Sequence, residues 1–202
     1  MPTVVARLSM SLDGFVADPS DAVGPLFDWY GNGDDIVEWP GYHRMTSRTS
    51  TPSADNLRDT IKDAGALLAG RRVFDFARGW DGSHPLDVPV FVVSHSVPAG
   101  WPRPDVPFTF VTTGVADAVA AASAAAGDKV VAVAGANVAQ QCLNLGLLDE
   151  VHVDLVPVLL GTGIRFFDPL EHAPVMLDDP SVVEGRRVTH LRYRVSAAVV
   201  DE

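Results

Sequence analysis

Residues 130–139 read VVAVAGANVA, and this run decides the expected fold. Its first five residues are small and apolar, which is typical of a buried strand. Gly135 then permits a tight turn, and a helix is predicted over residues 138–145. A strand that passes through a glycine turn into a helix is the repeating unit of a parallel α/β sheet, so the run predicts that class of fold.

The turn at Gly135 is also a candidate phosphate site. In open α/β sheets, ligands bind beyond the carboxyl ends of strands, beside helix starts whose free N–H groups favour anions. The run is neither a G-x-G-x-x-G fingerprint nor a Walker A loop. Close packing between the strand and the helix explains its small residues equally well.

A second strand–turn–helix unit occupies residues 66–74, ALLAGRRVF. Gly70 follows a short apolar strand and lets the backbone approach a ligand closely. Arg71 and Arg72 then open a helix and offer bidentate contacts to a phosphate. The alternative interpretation is a surface helix start with solvated arginines.

The rest of the chain extends this pattern. Further strands are predicted over residues 4–12, 90–94, 108–111, 150–160 and 188–195, and helices over residues 52–64 and 118–126. Gly65 is expected to stop the first helix. We therefore expect an α/β fold with a mostly parallel central sheet, helices on both faces and antiparallel C-terminal strands, because no helix separates the last two strands.

Residues 156–163, VPVLLGTG, end one of these strands in a glycine-rich turn. This turn is either the wall of a pocket or a hairpin turn. Residues 18–53, in contrast, are rich in Gly, Pro, Asp, Ser and Thr and contain several aromatic side chains. They form either a pocket wall or lid, or ordinary surface packing. In the first case, Trp29 could stack on a flat substrate ring.

The composition limits what the protein can be. Its 202 residues, 47% of them apolar, suffice for one domain with a sizeable core, and a single domain is expected over residues 1–202. A formal net charge of −11 argues against a nucleic-acid partner. The sequence has no apolar run of the ~20 residues that a membrane helix needs and no signal-peptide pattern, so a cytoplasmic protein without a membrane partner is expected.

The cysteine and the histidines give little indication of a metal site or a catalytic thiol. The one cysteine, Cys142, cannot form an internal disulfide, and its apolar helical surroundings favour a structural role over a catalytic thiol. The six histidines are scattered and show no zinc spacing, so no metal is expected. His190 lies in the last predicted strand and is interpreted as structural.

Five stretches together resemble a known family. They read MSLDG at residues 10–14, GRRVF at 70–74, PVFVVSH at 89–95, AGAN at 134–137, and LLDE at 147–150 followed by PVLLGTG at 157–163. In this order they resemble the dihydrofolate reductase superfamily, and most closely the reductase domain of riboflavin-biosynthesis deaminase-reductases and their bacterial relatives. The match spans almost the whole chain. Where the family usually has two glycines, this chain has Ala134 and Gly135.

The resemblance implies an NADPH site across the strand ends. The positions that match the family's cofactor-binding stretches are Ser9, Val16, Ala17, Gly70, Arg71, Arg72, Val73, Ser94, His95, Ala134, Gly135, Ala136, Asn137, Val138 and Ala139. In such relatives the arginine positions lie near the adenosine 2′-phosphate, residues 134–139 wrap the pyrophosphate, and the first strand approaches the nicotinamide. The expected substrate pocket contains Asp13, Trp29, Leu160 and Gly161. Relatives of this type are commonly homodimers, so a homodimer is expected.

Asp154 is a candidate catalytic residue. It lies inside an otherwise apolar strand, where burying a charge without a partner is unfavourable. It also matches a polar position that lines the substrate pocket in dihydrofolate reductases. These features suggest a proton donor with a raised pKa. The alternative is an aspartate in a salt bridge or on an edge strand.

Two functions are compatible with these patterns. The first is an NADPH-dependent reductase of a small heterocyclic or carbonyl substrate. The second is a non-catalytic protein on the same fold that binds NADP(H) or another nucleotide, or senses a ligand, since a fold does not fix a function.

Overall fold

The computed structural model describes residues 2–41 and 45–196. These residues form twelve strands, four α-helices and two 3-10 helices. The strands are β1 Val4–Ser11, β2 Phe15–Ala17, β3 Asp35–Glu38, β4 Thr46–Thr49, β5 Ala64–Gly70, β6 Val90–Val93, β7 Phe108–Val111, β8 Val130–Ala134, β9 Glu150–Val156, β10 Ile164–Arg165, β11 Ser181–Gly185 and β12 Val188–Arg194. The helices are α1 Thr51–Asp63, α2 Arg71–Phe76, α3 Val115–Ala126 and α4 Ala136–Asn144, with 3-10 helices at Gly24–Gly31 and Arg78–Gly82.

Eight strands form the central sheet, in the order β11-β12-β9-β1-β8-β5-β6-β7. The six strands from β9 to β7 are mutually parallel. Strand β12 is antiparallel to β9, and β11 is antiparallel to β12. The predicted class of fold, a mostly parallel sheet with antiparallel C-terminal strands, is confirmed.

The sheet separates two apolar cores. Successive side chains of a strand point to opposite faces, so Leu67 and Leu68 of β5 enter different cores. One core holds α3 and α4, while the other holds α1, α2 and the 3-10 helix Gly24–Gly31. The small apolar side chains of β5 and β8 fit this arrangement, because both of their faces are covered.

Several predicted boundaries were wrong. Strand β9 ends at Val156, four residues before the predicted end. Gly65 does not stop a helix, because α1 already ends at Asp63 and Gly65 belongs to β5. A Cβ on Gly65 would lie 2.8 Å from the Ala126 carbonyl oxygen. Gly65 therefore permits a close approach between β5 and the end of α3.

Residues 18–53 contain more regular structure than the sequence suggested. The 3-10 helix Gly24–Gly31 buries Leu26 and Trp29, and β3 and β4 form a hairpin. Strand β11 was not predicted, because most of its five residues are exposed and show no clear alternation.

Among residues 2–41 and 45–196, no helix is long and apolar enough to cross a membrane. The same residues contain no group of three or more His, Cys, Asp or Glu side chains that could hold a metal ion. Cys142 is fully buried, and burial raises the pKa of its thiol to about 12, which favours the structural interpretation over a reactive thiolate.

Candidate functional site

The two predicted phosphate turns lie side by side, because β5 and β8 are neighbours in the sheet. Gly135 has φ +106°, and a Cβ on it would lie 2.8 Å from Val73 Cγ2. A Cβ on Gly70 would lie 3.1 Å from Val138 Cγ2. Both glycines are thus explained by contact between the two turns. The close packing holds the backbone of each turn in place.

Ala134 fits the packing between β8 and β5. It pairs with Ala69 in the ladder between β8 and β5. Its methyl group packs against the core on the α1 side of the sheet. The departure from the family's two glycines is therefore accommodated by the apolar core.

Arg71 connects α2 to the loop that follows β6. Its Nε lies 2.9 Å from both carboxylate oxygens of Asp75, and one terminal nitrogen donates to Ser94 Oγ at 3.3 Å and to the Ser96 carbonyl oxygen at 3.2 Å. The structure thus brings together Arg71 and Ser94, with His95 exposed beside them. Arg71 is already engaged on two sides, which makes it a positioning residue for the 94–96 loop.

Arg72 is less constrained. Its side chain is 66% exposed, and its Nε lies 2.6 Å from Asp21 Oδ1. Within the described part of the chain, Asp21 is its one side-chain partner. Arg72 therefore offers most of its guanidinium to an incoming anion. Asp21 was not identified from the sequence, since 51 positions separate it from Arg72.

A cavity of about 360 Å³ opens beside the first turn of α4. It is lined by Ala136, Asn137, Gln140, Gly163, Ile164, Arg165 and Asp168. The side chains of Val138 and Ala139 are buried in the core, so these two predicted residues can contribute only their backbone. Gln140 was missed in the sequence, although it lies four residues after Ala136 and therefore on the same face of the helix.

The strand pair β2–β10 forms the opposite side of this cavity. Ala17 pairs with Ile164, and a Cβ on Gly163 would lie 2.1 Å from the Ala17 carbonyl oxygen. Ala17 is thus brought close to the cavity, and its position beside the nicotinamide stays a prediction. Val16 instead packs against the core. Gln140 Nε2 donates to the Phe166 carbonyl oxygen at 2.9 Å and so ties α4 to this strand pair.

Asp13 fixes the glycine-rich turn after β9. Its carboxylate accepts hydrogen bonds from Ser11 Oγ at 2.5 Å, from the Leu160 N–H at 3.1 Å and from the Gly161 N–H at 2.7 Å. The hydrogen bond from Ser11, together with those from the backbone, lowers the pKa of Asp13 to about 2. Strands β9 and β10 do not pair with each other, so the turn is not a hairpin turn. Three predicted pocket residues are therefore in contact.

Removing the Asp13 carboxylate is expected to loosen this turn. In Asp13→Ala the Leu160 and Gly161 N–H groups lose their acceptor, so their hydrogen–deuterium exchange should accelerate. The folded-state pKa of Asp13 lies below its ordinary value of 3.8. Protection in the wild type should therefore be complete above about pH 4 and disappear as the pH falls toward 2. Asp18→Ala, which removes a carboxylate from a different loop, should leave these two amides unchanged; equal exchange in both variants contradicts the assignment.

Asp154 is a buried carboxylate in an ion pair. It is 3% exposed, with Arg7 Nε 3.1 Å from Oδ2 and His190 Nδ1 2.6 Å from Oδ1. Burial raises its pKa, but the charge of Arg7 and the hydrogen bond with His190 outweigh burial and lower the pKa to about 2. The hypothesis of a proton donor with a raised pKa is wrong, and the alternative of a salt-bridged aspartate is confirmed.

The same ion pair extends into a buried polar network. His190 Nε2 lies 2.9 Å from Ser53 Oγ, and Arg7 also bonds Thr60. The network therefore connects α1, β1, β9 and β12. Ser53, His190 and Asp154 share the bonding order of a hydrolase triad, but the Ser53 hydroxyl is fully buried and unavailable to a substrate. His190, 2% exposed, is structural as predicted.

Trp29 does not provide an open stacking surface. The side chain is 1% exposed and stacks on Tyr30 with ring centroids 3.9 Å apart. Its Nε1 donates to Ser9 Oγ at 3.1 Å, and its ring meets His190 edge-on. The expectation that Trp29 stacks on a substrate ring is wrong for this conformation. Ser9 is buried by the same contact and faces a ligand only if the indole moves.

The chain is similar to known proteins both in sequence and in structure. The sequence model of the RibD C-terminal domain family matches residues 2–189. No curated protein sequence matches the chain. A solved structure described as a "putative riboflavin biosynthesis protein" from Shewanella sp. PV-4 is 24% identical, with a TM-score of 0.66 over 96% of this chain and 99% of that one.

Two further solved structures extend the comparison. The diaminohydroxyphosphoribosylaminopyrimidine deaminase/5-amino-6-(5-phosphoribosylamino)uracil reductase of Thermotoga maritima is 13% identical, with a TM-score of 0.65 over 96% of this chain. The match covers 57% of that protein. A dihydrofolate reductase from Enterococcus faecalis, complexed with NADP(H), is 14% identical, with a TM-score of 0.57 over 96% of this chain and 97% of that one. These similarities establish a dihydrofolate reductase-like fold.

Proposed function

Because the chain belongs to the RibD C-terminal domain family, we propose that it is an NADPH-dependent reductase of a small heterocyclic or carbonyl compound. Family membership supports an oxidoreductase of the riboflavin-pathway type. The observation that carries the cofactor proposal is the contact between the two glycine turns, which aligns Arg72 and the start of α4 along one edge of the sheet.

The residues present fit a dinucleotide phosphate chain. The cavity beside Ala136 and Asn137 leaves the first turn of α4 open to a pyrophosphate, and the Arg72 guanidinium is exposed for a 2′-phosphate. Ser94 and His95 would lie beside the adenosine, and Ala17 would lie toward the nicotinamide. NADPH would supply the hydride, while the protein would position the reactants.

The proposed substrate position lies under the 3-10 helix Gly24–Gly31, next to the turn that Asp13 holds. Asp13 is committed to two N–H groups there, so it acts by shaping the pocket wall at Leu160 and Gly161. Asp154 is committed to Arg7 and His190, and it contributes by holding β1, β9 and β12 in register beneath this region.

Calorimetric titration with NADPH and NADH tests the cofactor proposal. NADPH is expected to bind, and Arg72→Ala should weaken its binding by roughly tenfold or more without changing NADH, since a charge-assisted contact to the 2′-phosphate is lost. Arg194→Ala is the matched control, because Arg194 is an exposed arginine in an ion pair and lies at the amino ends of the parallel strands, away from Arg72. Failure of the wild type to bind either dinucleotide at millimolar concentration overturns the proposal.

The second candidate function is a non-catalytic sensor of NADP(H). It is favoured by the contact between Trp29 and Ser9, which closes the proposed nicotinamide end. NADPH oxidation in the presence of a panel of cyclic imines and carbonyl compounds separates the two functions. Tight binding without turnover of any compound supports the sensor.

We also propose a homodimer, as the resemblance to known reductases implies. Strand β11 is an edge strand of the sheet, and its Val182 is about half exposed. Unpaired strand edges readily add a further strand. Light scattering after size exclusion tests this proposal, and the mass of a single chain at micromolar concentration overturns it.

A further inference from the structure

The loop of residues 18–22 carries a carboxylate onto Arg72. It connects β2 with the 3-10 helix Gly24–Gly31 and so runs from the proposed nicotinamide end toward α2. Asp21 Oδ1 and Oδ2 lie 2.6 Å and 2.7 Å from Arg72 Nε. The Asp21 side chain is 25% exposed and that of Arg72 is 66% exposed, so this contact is a surface ion pair with a half-sheltered carboxylate.

The loop holds Asp21 in place through its own hydrogen bonds. Asp18 Oδ1 accepts from the Ser20 N–H at 2.7 Å and from the Ala22 N–H at 3.0 Å, and the Asp18 N–H donates to the Ala22 carbonyl oxygen at 2.9 Å. Asp21 itself has φ +71°, a left-handed conformation that Asp and Asn tolerate better than most residues. The carboxylate is therefore presented to Arg72 by a preformed loop.

Arg71 and Arg72 differ in the segment of the chain that supplies their carboxylate partner. Arg71 is neutralised by Asp75 of its own helix and also holds the 94–96 loop. Arg72 bonds a carboxylate from a separate segment of the chain. A phosphate that binds the exposed terminal nitrogens of Arg72 meets a guanidinium that Asp21 already partly neutralises, because Asp21 bonds its Nε.

We propose that Asp21 is a specificity-determining residue whose carboxylate, held on Arg72 Nε, opposes a 2′-phosphate that binds the rest of the same guanidinium. This inference rests on the proposed function. A dinucleotide without the 2′-phosphate brings no such anion to this guanidinium, so Asp21 does not oppose its binding. Asp21 thus reduces the affinity for NADPH selectively and sets how strongly the protein prefers NADPH over NADH.

A double-mutant cycle tests this inference, with NADPH and NADH as the titrated ligands. Asp21→Asn keeps the shape and tolerates the left-handed backbone, and it is expected to tighten NADPH binding by about two- to fivefold, the range typical of such ion pairs. NADH binding should not change. In an Arg72→Ala background, Asp21→Asn should no longer affect NADPH, because Asp21 acts through Arg72.

Asp105→Asn is the matched control. It changes the net charge equally on an exposed side chain in the loop before β7, at the amino ends of the parallel strands, whereas Arg72 follows the carboxyl end of β5. The inference, but not the proposed function, is overturned by any one of three results. These are unchanged NADPH affinity in Asp21→Asn, equal tightening for NADH, and an effect on NADPH that persists without Arg72. Absence of binding by either dinucleotide to the wild type overturns the proposed function together with it.

Discussion

Replacing Arg7 by methionine is expected to destabilise the fold by about 3–5 kcal/mol, the effect of removing one partner of a buried ion pair. The Arg7 side chain is 12% exposed and makes two contacts with Asp154, which is more deeply buried. Without Arg7, the Asp154 carboxylate loses its main compensating charge. Urea unfolding, with the slope of the transition as a check on two-state behaviour, measures the loss.

Arg58→Met is the matched control for this prediction. Arg58 also contacts two carboxylates, Asp35 and Asp55, but on the surface, where solvent screens the interaction. Its replacement should be far less destabilising. The double variant Arg7→Met/Asp154→Leu should recover part of the stability, since it removes both buried charges. Equal losses for Arg7→Met and Arg58→Met contradict the prediction.

The Arg7–Asp154 ion pair also predicts how the stability of the fold depends on pH. The folded-state pKa of Asp154 is lowered from 3.8 to about 2, so its contribution is fully present above about pH 4 and is lost as the pH falls toward 2. By linkage this shift corresponds to roughly 2 kcal/mol. In Arg7→Met the pKa of Asp154 should rise, because burial then dominates. Acid unfolding of that variant should therefore begin at a higher pH than in the wild type.

The parallel core of the sheet was predictable because its signals are local. The small apolar residues of β8, the glycine turn and the α4 pattern occupy one short stretch, and the same holds for β5 and α2. The end of β9 was not predictable in this way. Val158 and Leu160 continue the apolar pattern, but Asp13, which is 147 residues away from Leu160, holds that segment in a turn.

The same distinction between local patterns and contacts of distant residues applies to the candidate site. The glycine turns and the two arginines could be read from the sequence, but the partners that decide the state of each side chain could not. A lone aspartate in an apolar strand indicates that a partner exists, yet nothing local identifies Arg7 or His190. The sequence suggests Trp29 as a stacking platform for a substrate ring, because this residue lies in an irregular segment that could form a pocket wall. Its burial follows from a contact with Ser9 that is distant in the sequence.

Gly135→Ala is expected to lower stability by about 2–4 kcal/mol and to remove measurable NADPH binding. Gly135 has φ +106°, a conformation that is strained for any residue with a Cβ. The new methyl group would also lie 2.8 Å from Val73 Cγ2, so either α2 or the turn must shift. A shift of the turn misplaces the N–H groups of Ala136 and Asn137, which are proposed to hold the pyrophosphate. Urea unfolding and calorimetric titration with NADPH measure the two effects.

Gly146→Ala separates backbone strain from the clash. Gly146 follows the other end of α4 with φ +67°, and a Cβ there would have no heavy atom within 4 Å. This variant should lose about 1 kcal/mol of stability and bind NADPH normally. Adding Val73→Ala to Gly135→Ala should restore part of both losses, because it removes the atom that the new methyl group meets. If the second substitution restores neither, the contact between the two turns is not what requires glycine at position 135.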